Sequence, residues 1–221
     1  MADARKRVAV LISGRGSNMA ALIAAASQES FPAEIALVLS NRADAVGLDH
    51  ARAQGVSATA VDRRKYASKA EMEARFDAAL REAGIELICL AGYMQLLSAT
   101  FVKAWRDRML NIHPSLLPLF PGLDTHARAL QAGVKLHGAT VHFVRTEMDT
   151  GPIVAQGAVP VIPGDTPDTL AARVLEVEHR LYPMALGLVA SGRVTVTGDI
   201  VQIDGAPADP NAAILSPPDQ G

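Results

Sequence analysis

The sequence has little cysteine, few aromatic residues and no excess of one charge. Cys89 is the single cysteine among 221 residues, so it has no partner for a disulfide and no second thiol for a metal site. A reduced, cytoplasmic compartment is therefore expected. Phe, Trp and Tyr make up 4% of the chain, too few for the stacking surfaces of single-stranded nucleic-acid binders. The formal charge of −2 provides no basic field for a polyanion, so an anionic ligand would need a local binding device.

Long hydrophobic runs are also missing. No apolar stretch approaches the roughly 20 residues of a membrane-spanning helix. The first apolar run, Val8–Ile12, ends at Ser13 and Gly14 and is too short for the apolar region of a secretory signal peptide. We therefore expect no membrane contact and no nucleic-acid partner.

The apolar runs that are present alternate with helical patterns, which predicts an α/β fold with a mostly parallel, twisted sheet and helices on both faces. The parallel strands are predicted at Val8–Ile12, Ile35–Leu39, Val56–Val61, Ile85–Leu90 and Met109–Ile112. The longest helices are predicted at Lys69–Ala83 and Pro167–Ala190. In the C-terminal half, Gly138–Val144, Ile153–Val161 and a hairpin over Val194–Ile203 predict antiparallel additions. A single domain is expected over 1–205, followed by a flexible tail over 206–221.

A glycine-rich turn, Gly14-Arg15-Gly16-Ser17-Asn18, lies between the first strand and the first helix. Glycines let the backbone turn tightly and approach a ligand, and the following helix offers free N–H groups at its positive end. Ser17 and Asn18 add side-chain donors for phosphate oxygens. The turn predicts an anion site, although the same residues could serve only to form the turn. Met19 in place of a third glycine disfavours a dinucleotide site.

Asn111 and His113 lie two residues apart at the end of a predicted strand, so their side chains should point to the same side. An Asn amide can donate to a carbonyl oxygen that gains negative charge, and a His can exchange a proton with an attacking amine. Asp149, in a loop that ends in Gly151-Pro152, is the candidate that orients the His, since a neighbouring carboxylate favours the imidazolium. The alternative is that these residues only form turns and caps.

Two other kinds of site are disfavoured. The histidines His113, His126, His137 and His142 are scattered, without the spacing of metal ligands, so no metal is expected. Because Cys89 has apolar neighbours, we interpret it as a core residue and not a nucleophile. His142, which alternates within a strand, is interpreted as a buried core histidine.

These motifs closely resemble those of the glycinamide ribonucleotide formyltransferases, members of the folate-dependent formyltransferases. The matching segments are Val10–Asn18 (VLISGRGSN), Ser40–Ala45 (SNRADA), Leu90–Met94 (LAGYM), Asn111–Pro118 (NIHPSLLP), His137–Val144 (HGATVHFV) and the pairs Glu178-His179 and Tyr182-Pro183. The resemblance implies a Rossmann-like formyltransferase fold. It also implies transfer of a formyl group from 10-formyltetrahydrofolate, the co-substrate, to the amine of glycinamide ribonucleotide in purine synthesis.

The resemblance further implies roles for individual residues. The ribonucleotide would be bound by Gly16, Ser17, Asn18 and Glu178, and catalysis would rest on Asn111, His113 and Asp149. The folate would be bound, chiefly through backbone groups, by Lys69, Met94, Gln95, Leu96, Leu97, Asn111, Arg145, Thr146, Glu147, Met148 and Asp149. Lys69 stands where the family usually has Arg, which keeps the charge and loses the planar fork. A monomer or a homodimer is expected.

Four alternatives remain at this point. Methionyl-tRNA formyltransferases normally carry a C-terminal RNA-binding barrel, whereas about 18 residues follow Ile203 here. Formyltetrahydrofolate hydrolases usually carry an N-terminal regulatory domain, whereas the first strand here begins at Val8. A non-catalytic nucleotide-binding module would use only the glycine-rich turn and leave His113 without a purpose. A nicotinamide oxidoreductase would be revealed by an absorbance change with its cofactor.

Overall fold

A computed structural model of the chain describes residues 5–205 and Ser216. The strands are β1 (Lys6–Ile12), β2 (Ala33–Ser40), β3 (Ser57–Ala60), β4 (Leu87–Leu90), β5 (Met109–His113), β6 (Leu136–Phe143), β7 (Ile153–Pro160), β8 (Val194–Thr197) and β9 (Ile200–Ile203). The helices are α1 (Ser17–Ala26), α2 (Gly47–Ala53), α3 (Lys69–Glu82), α4 (Ala99–Ala104), α5 (Thr125–Ala132) and α6 (Pro167–Ala190). The predicted tail over 206–221 lies outside the described residues apart from Ser216, so the division into domain and tail stays a prediction.

One sheet of seven strands organises the fold, in the order β3-β2-β1-β4-β5-β6-β7. The first five strands in this order run parallel to one another, and β6 and β7 pair antiparallel at one edge. Strands β8 and β9 form a separate antiparallel hairpin. The predicted mostly parallel α/β fold with antiparallel additions in the C-terminal half is confirmed.

The central strand β1 shows why helices cover both faces. Its residues Val8–Ile12 are completely buried, as expected for a parallel strand between two layers of helices. Val8, Val10 and Ile12 pack in a core with α1, α2, α5 and α6. Ala9 and Leu11 point the other way, into a second core with α3 and α4. The alternation of side chains along a strand therefore serves two cores at once.

Several bounds differ from the predicted ones by one or two residues, and two local differences have a clear cause. Strand β4 begins at Leu87 and not at Ile85, because the Ile85 N–H donates to Leu80 O and completes the end of α3. A short 3-10 turn over Arg63–Lys65 was not predicted. Asp62, the residue before this turn, caps it. Its carboxylate accepts the backbone N–H of Arg64, a local contact that Asp favours.

The strand order places a crevice at the carboxyl ends of β1 and β4. From β1 the chain goes to β2 on one side and later returns to β4 on the other, and ligands of open α/β sheets bind where the order reverses. The segments that leave these two strands are the turn Gly14–Asn18 and the loop Gly92–Leu97. Among residues 5–205, no helix has both the length and the apolar character needed to cross a bilayer.

Candidate functional site

The glycine-rich turn Gly14–Asn18 forms one wall of the crevice, together with Ala91 and Gly92 after β4. Gly16 has a φ of 74°, a left-handed conformation that glycine adopts without a Cβ penalty. Helix α1 starts at the next residue, so its first N–H groups have no partner within the helix and face the ligand side. The turn can therefore offer backbone donors to an anion.

Asn18 connects this turn to the last helix. Its Nδ2 donates to Glu178 Oε2 at 2.6 Å, and both side chains are buried. Burial raises the pKa of the Glu178 carboxyl, and the Asn18 hydrogen bond opposes that rise. The Asn18 Oδ1 is buried and has no hydrogen-bond partner among residues 5–205 and Ser216. In this arrangement the free side-chain atom of Asn18 is an acceptor, and the donors available to a phosphate are the backbone N–H groups and the Ser17 hydroxyl.

Strand β5 carries Asn111 and His113 into the site, each directly opposite a residue of β6. Asn111 pairs with His142, whose Nε2 lies 3.2 Å from Asn111 Nδ2. His142 Nδ1 lies 3.0 Å from the Phe143 carbonyl oxygen, to which it can only donate. Burial lowers the pKa of His142, so its ring is neutral and its Nε2 accepts from Asn111. One amide hydrogen of Asn111 is thereby fixed, and the second remains available to a ligand.

His113 is held on both ring nitrogens by acceptors. Its Nε2 donates to the Phe120 carbonyl oxygen at 3.0 Å, and its Nδ1 lies 3.4 Å from Asp149 Oδ2. The ring is 6% exposed. An imidazolium can satisfy both acceptors, whereas a neutral ring can donate to only one of them. Both ring nitrogens of His113 are therefore directed at acceptors in this structure.

Asp149 joins two loops at this point. Its φ of 57° is unusual for a residue other than glycine, and it turns the carboxylate back toward β5. Oδ2 accepts the backbone N–H of Gly122 at 2.8 Å, and Oδ1 lies 3.9 Å from His142 Nε2. The structure thus brings Asn111, His113 and Asp149 together.

The loop after His113 is fastened by two residues that the sequence did not single out, Thr140 and Gln156. Thr140 Oγ1 accepts from Leu117 N at 3.0 Å and donates to Ser115 O at 2.7 Å. Gln156 Nε2 donates to Thr140 Oγ1 at 3.0 Å and to Leu117 O at 2.8 Å. The pairing register of β5 and β6 places Thr140 opposite His113 and His142 opposite Asn111. Knowledge of this register would have been needed to identify these contacts from the sequence.

The residues expected to bind the folate fall into two groups. In the loop after β4, Met94 and Leu96 are exposed, whereas the side chain of Gln95 accepts a hydrogen bond from Asn41. In the segment after β6, Thr146, Glu147 and Met148 are exposed. Its first residue, Arg145, is turned away toward Asp107, with an Nη2 to Oδ1 distance of 2.7 Å.

Lys69 lies at the start of α3, next to the end of the loop after β4. Its Nζ is 3.8 Å from Glu73 Oε1, and the same carboxylate oxygen accepts the backbone N–H of Ser98 at 2.8 Å. Lys69 is therefore linked through Glu73 to the residue that follows Leu97.

His137 and Cys89 are both completely buried in the core. His137 Nε2 lies 3.2 Å from His126 Nδ1, and burial lowers the pKa of His137 to about 4. Burial raises the pKa of the Cys89 thiol to about 12, so it stays protonated at neutral pH. Among the described residues, no group of three or more His, Cys, Asp or Glu side chains is placed to hold a metal ion.

The chain resembles known formyltransferases in sequence. The formyl transferase family profile matches residues 6–186. A phosphoribosylglycinamide formyltransferase from Haemophilus influenzae is 40% identical over 90% of this chain and 94% of its own length. The trifunctional purine biosynthetic protein adenosine-3 of Gallus gallus is 51% identical over 86% of this chain and 19% of its own length. The chain thus spans about a fifth of that longer relative.

Solved structures give the same picture. A phosphoribosylglycinamide formyltransferase from Brucella melitensis is 56% identical, with a TM-score of 0.82 over 87% of this chain and 100% of that one. A formyltetrahydrofolate deformylase from Pseudomonas syringae is 26% identical, with a TM-score of 0.84 over 91% of this chain and 67% of that one. The fold is shared by both, and the sequence is much more similar to the former.

Proposed function

The chain belongs to the formyl transferase family, and from that premise we propose that it transfers the formyl group of 10-formyltetrahydrofolate to the amine of glycinamide ribonucleotide in purine synthesis. The observation that carries this proposal is the position of His113 between the Phe120 carbonyl and the Asp149 carboxylate, beside Asn111. A hydrolase could share this trio. The anion-binding turn at the same end of the sheet favours a phosphorylated acceptor.

The ribonucleotide is assigned to the crevice wall formed by Gly16, Ser17 and Asn18. Its phosphate accepts from the unpaired N–H groups at the start of α1, which is the device expected for a protein without a general basic field. Glu178, joined to Asn18, lies where it can accept hydrogen bonds from the ribose hydroxyls or the glycinamide end. Asn18 Oδ1, which has no hydrogen-bond partner among the described residues, supports the same assignment, because the ribose hydroxyls and the glycinamide end can donate to it.

The folate is assigned to the loops after β4 and β6. Met94–Leu97 and Arg145–Asp149 supply mainly backbone groups and exposed apolar side chains. Lys69 supplies a positive charge near the first of these loops. The turn of Arg145 toward Asp107 means that its backbone, and not its guanidinium, is the group offered to the folate.

The chemistry assigned to the trio is direct transfer. The amine attacks the formyl carbon, and the carbonyl oxygen becomes an oxyanion in a tetrahedral intermediate. Asn111 donates to this oxyanion through its free amide hydrogen, and protonated His113, held between Phe120 O and Asp149, stabilises it through its positive charge. Asp149 stabilises the imidazolium and accepts the proton that the amine loses. Collapse of the intermediate breaks the bond to the folate nitrogen, which takes up a proton, and leaves the formylated amine.

The test is a spectrophotometric assay with 10-formyl-5,8-dideazafolate as donor. Deformylation that depends on glycinamide ribonucleotide is the expected result, and a rate that does not depend on it would identify a hydrolase. His113→Ala should lower turnover by roughly a hundredfold or more, the usual range for a general acid–base. Unaltered turnover in folded His113→Ala would remove His113 from the mechanism.

The wider assignments are part of the same proposal. The partners are the two small-molecule substrates, with no nucleic acid and no membrane, and the protein acts in the cytoplasm as a monomer or a homodimer. The formal charge of −2 supports the absence of a nucleic-acid partner. Sedimentation at micromolar concentration would decide between the two oligomeric states.

A further inference from the structure

The turn Ser40-Asn41-Arg42, which begins at the last residue of β2, has no role in the function proposed above. Its central side chain forms a bridge between two other segments. Asn41 Oδ1 accepts from the Ser13 hydroxyl at 2.7 Å, and Asn41 Nδ2 donates to Gln95 Oε1 at 3.2 Å. Asn41 therefore links the end of β1 to the loop Gly92–Leu97, which follows β4.

Ser13 continues this bridge to the backbone of the same loop. Its hydroxyl oxygen accepts the Met94 N–H at 2.9 Å, and its own N–H donates to Gly92 O at 3.2 Å. The hydroxyl has one hydrogen, and Asn41 accepts it. Because that contact fixes the rotation of the hydroxyl, it aims an oxygen lone pair at Met94. The amide of Asn41 thus holds the loop twice, through Gln95 directly and through Ser13.

The far end of the loop is fixed independently of Asn41. Glu73, which is buried, accepts the Ser98 N–H at 2.8 Å. Between these two attachments the loop presents Met94 and Leu96, whose exposed fractions are 69% and 63%. The loop thus has exposed apolar side chains and a backbone fixed by hydrogen bonds near both ends. Such a loop can hold a flat ligand against its main chain. Release of one attachment would loosen the ligand-facing part.

We propose that Asn41 is a positioning residue for the formyl donor, which it serves by fixing Ser13 and Gln95 and through them the loop Gly92–Leu97. The assignment of this loop to the donor rests on the function proposed above. The acceptor site is expected to be insensitive to Asn41, because the backbone of Ser13 stays fixed by β1 and by its own bond to Gly92 O. Asn41 touches neither substrate in this arrangement.

The kinetic test compares Asn41→Ala with Arg42→Ala. Within the described part of the chain the Arg42 side chain pairs only with Asp44, and it is exposed, so its removal is the matched control. Loss of the Asn41 hydrogen bonds should raise the KM for the donor by about three- to tenfold. The KM for the ribonucleotide and kcat should change by less than about twofold in both variants. Asn41→Asp should restore most of the donor KM, because the Gln95 amide can turn and donate to the carboxylate.

A second measurement does not depend on activity. Hydrogen exchange of the peptide that contains Met94 should accelerate in Asn41→Ala and Ser13→Ala and stay unchanged in Arg42→Ala. If the parent protein transfers no formyl group, this measurement still decides whether Asn41 holds the loop, while the proposed function fails separately. The inference is overturned by unchanged exchange, by an unchanged donor KM in an active, folded Asn41→Ala variant, or by an equal rise in both KM values.

Discussion

Thr140→Val tests the support of the loop that follows His113. The substitution keeps the shape of a side chain that is completely buried and removes an oxygen with three polar contacts. The Leu117 N–H and the Ser115 carbonyl each lose a hydrogen-bond partner, whereas Gln156 Nε2 keeps its bond to Leu117 O. A buried group left unpaired costs about 1–3 kcal/mol.

The two unpaired groups together give an expected loss of roughly 2–6 kcal/mol in the free energy of unfolding. For a chain of this size that corresponds to a Tm lower by about 4–24 °C. Turnover should fall as well, because the loosened loop carries the Phe120 carbonyl that orients His113. Urea unfolding followed by circular dichroism gives the stability, and the deformylation assay gives the turnover.

The matched control is Thr59→Val, the same change at an exposed position of β3. Its free energy of unfolding should remain within about 0.5 kcal/mol of the parent value. If Thr140→Val proved as stable as Thr59→Val, the Thr140 hydroxyl would not fasten this loop, and the reasoning would be wrong.

Three further predictions concern the turn at Gly14 and two buried titratable groups. A Cβ at Gly47 would lie 2.6 Å from Ile12 Cδ1 and 3.0 Å from the Gly14 carbonyl oxygen, so Gly47→Ala should displace the turn. The KM for the ribonucleotide should then rise by about tenfold, which corresponds to about 1.4 kcal/mol, and an unchanged KM would contradict this. Burial raises the pKa of Glu178 above its ordinary value of 4.5. The protein is therefore more stable while Glu178 is protonated, and this extra free energy of unfolding, fully present below pH 4.5, is lost as the pH rises through the raised pKa. Glu178→Gln should accordingly have a higher Tm than the parent at pH 7, with a gap that closes below pH 4.5; an equal Tm at pH 7 would argue against this cost. Burial lowers the pKa of His137 from 6.5 to about 4. The folded protein therefore favours neutral His137, and the free energy of unfolding that this contributes above pH 6.5 is lost as the pH falls toward 4. Urea titrations between these limits should show a shallower pH dependence in His137→Asn, and identical slopes would exclude His137 as a source of acid lability.

The sequence was sufficient for the parallel part of the fold because its signals are local. Apolar runs such as Val8–Ile12 and helical patterns such as Lys69–Ala83 indicate strands and helices without reference to distant parts of the chain. The side-by-side placement of Asn111 and His113 also follows from the two-residue period of a strand. These predictions therefore depend on neighbours within one element.

The contacts that complete the candidate site are not local and could not be predicted in this way. The pairing of Asn111 with His142 depends on the register between β5 and β6, and a shift of one residue would turn His142 to the other face. The contact between Asn18 and Glu178 joins residues 160 positions apart. Periodicity identified His142 as buried, but only the assembled sheet shows that it orients Asn111.

The long final helix has a consequence for how the protein is made. Helix α6 covers one face of the sheet, and its Tyr182 hydroxyl reaches the carbonyl oxygens of Leu90 and Leu110 at 3.1 Å and 3.0 Å. At about 5–20 residues per second, a ribosome needs on the order of 1–5 s to synthesise its 24 residues. Until that helix emerges, the part of the core that α6 covers is exposed beside α1, α2 and α5. We therefore expect a chain truncated before Glu178 to expose apolar surface and to aggregate more readily than the full chain.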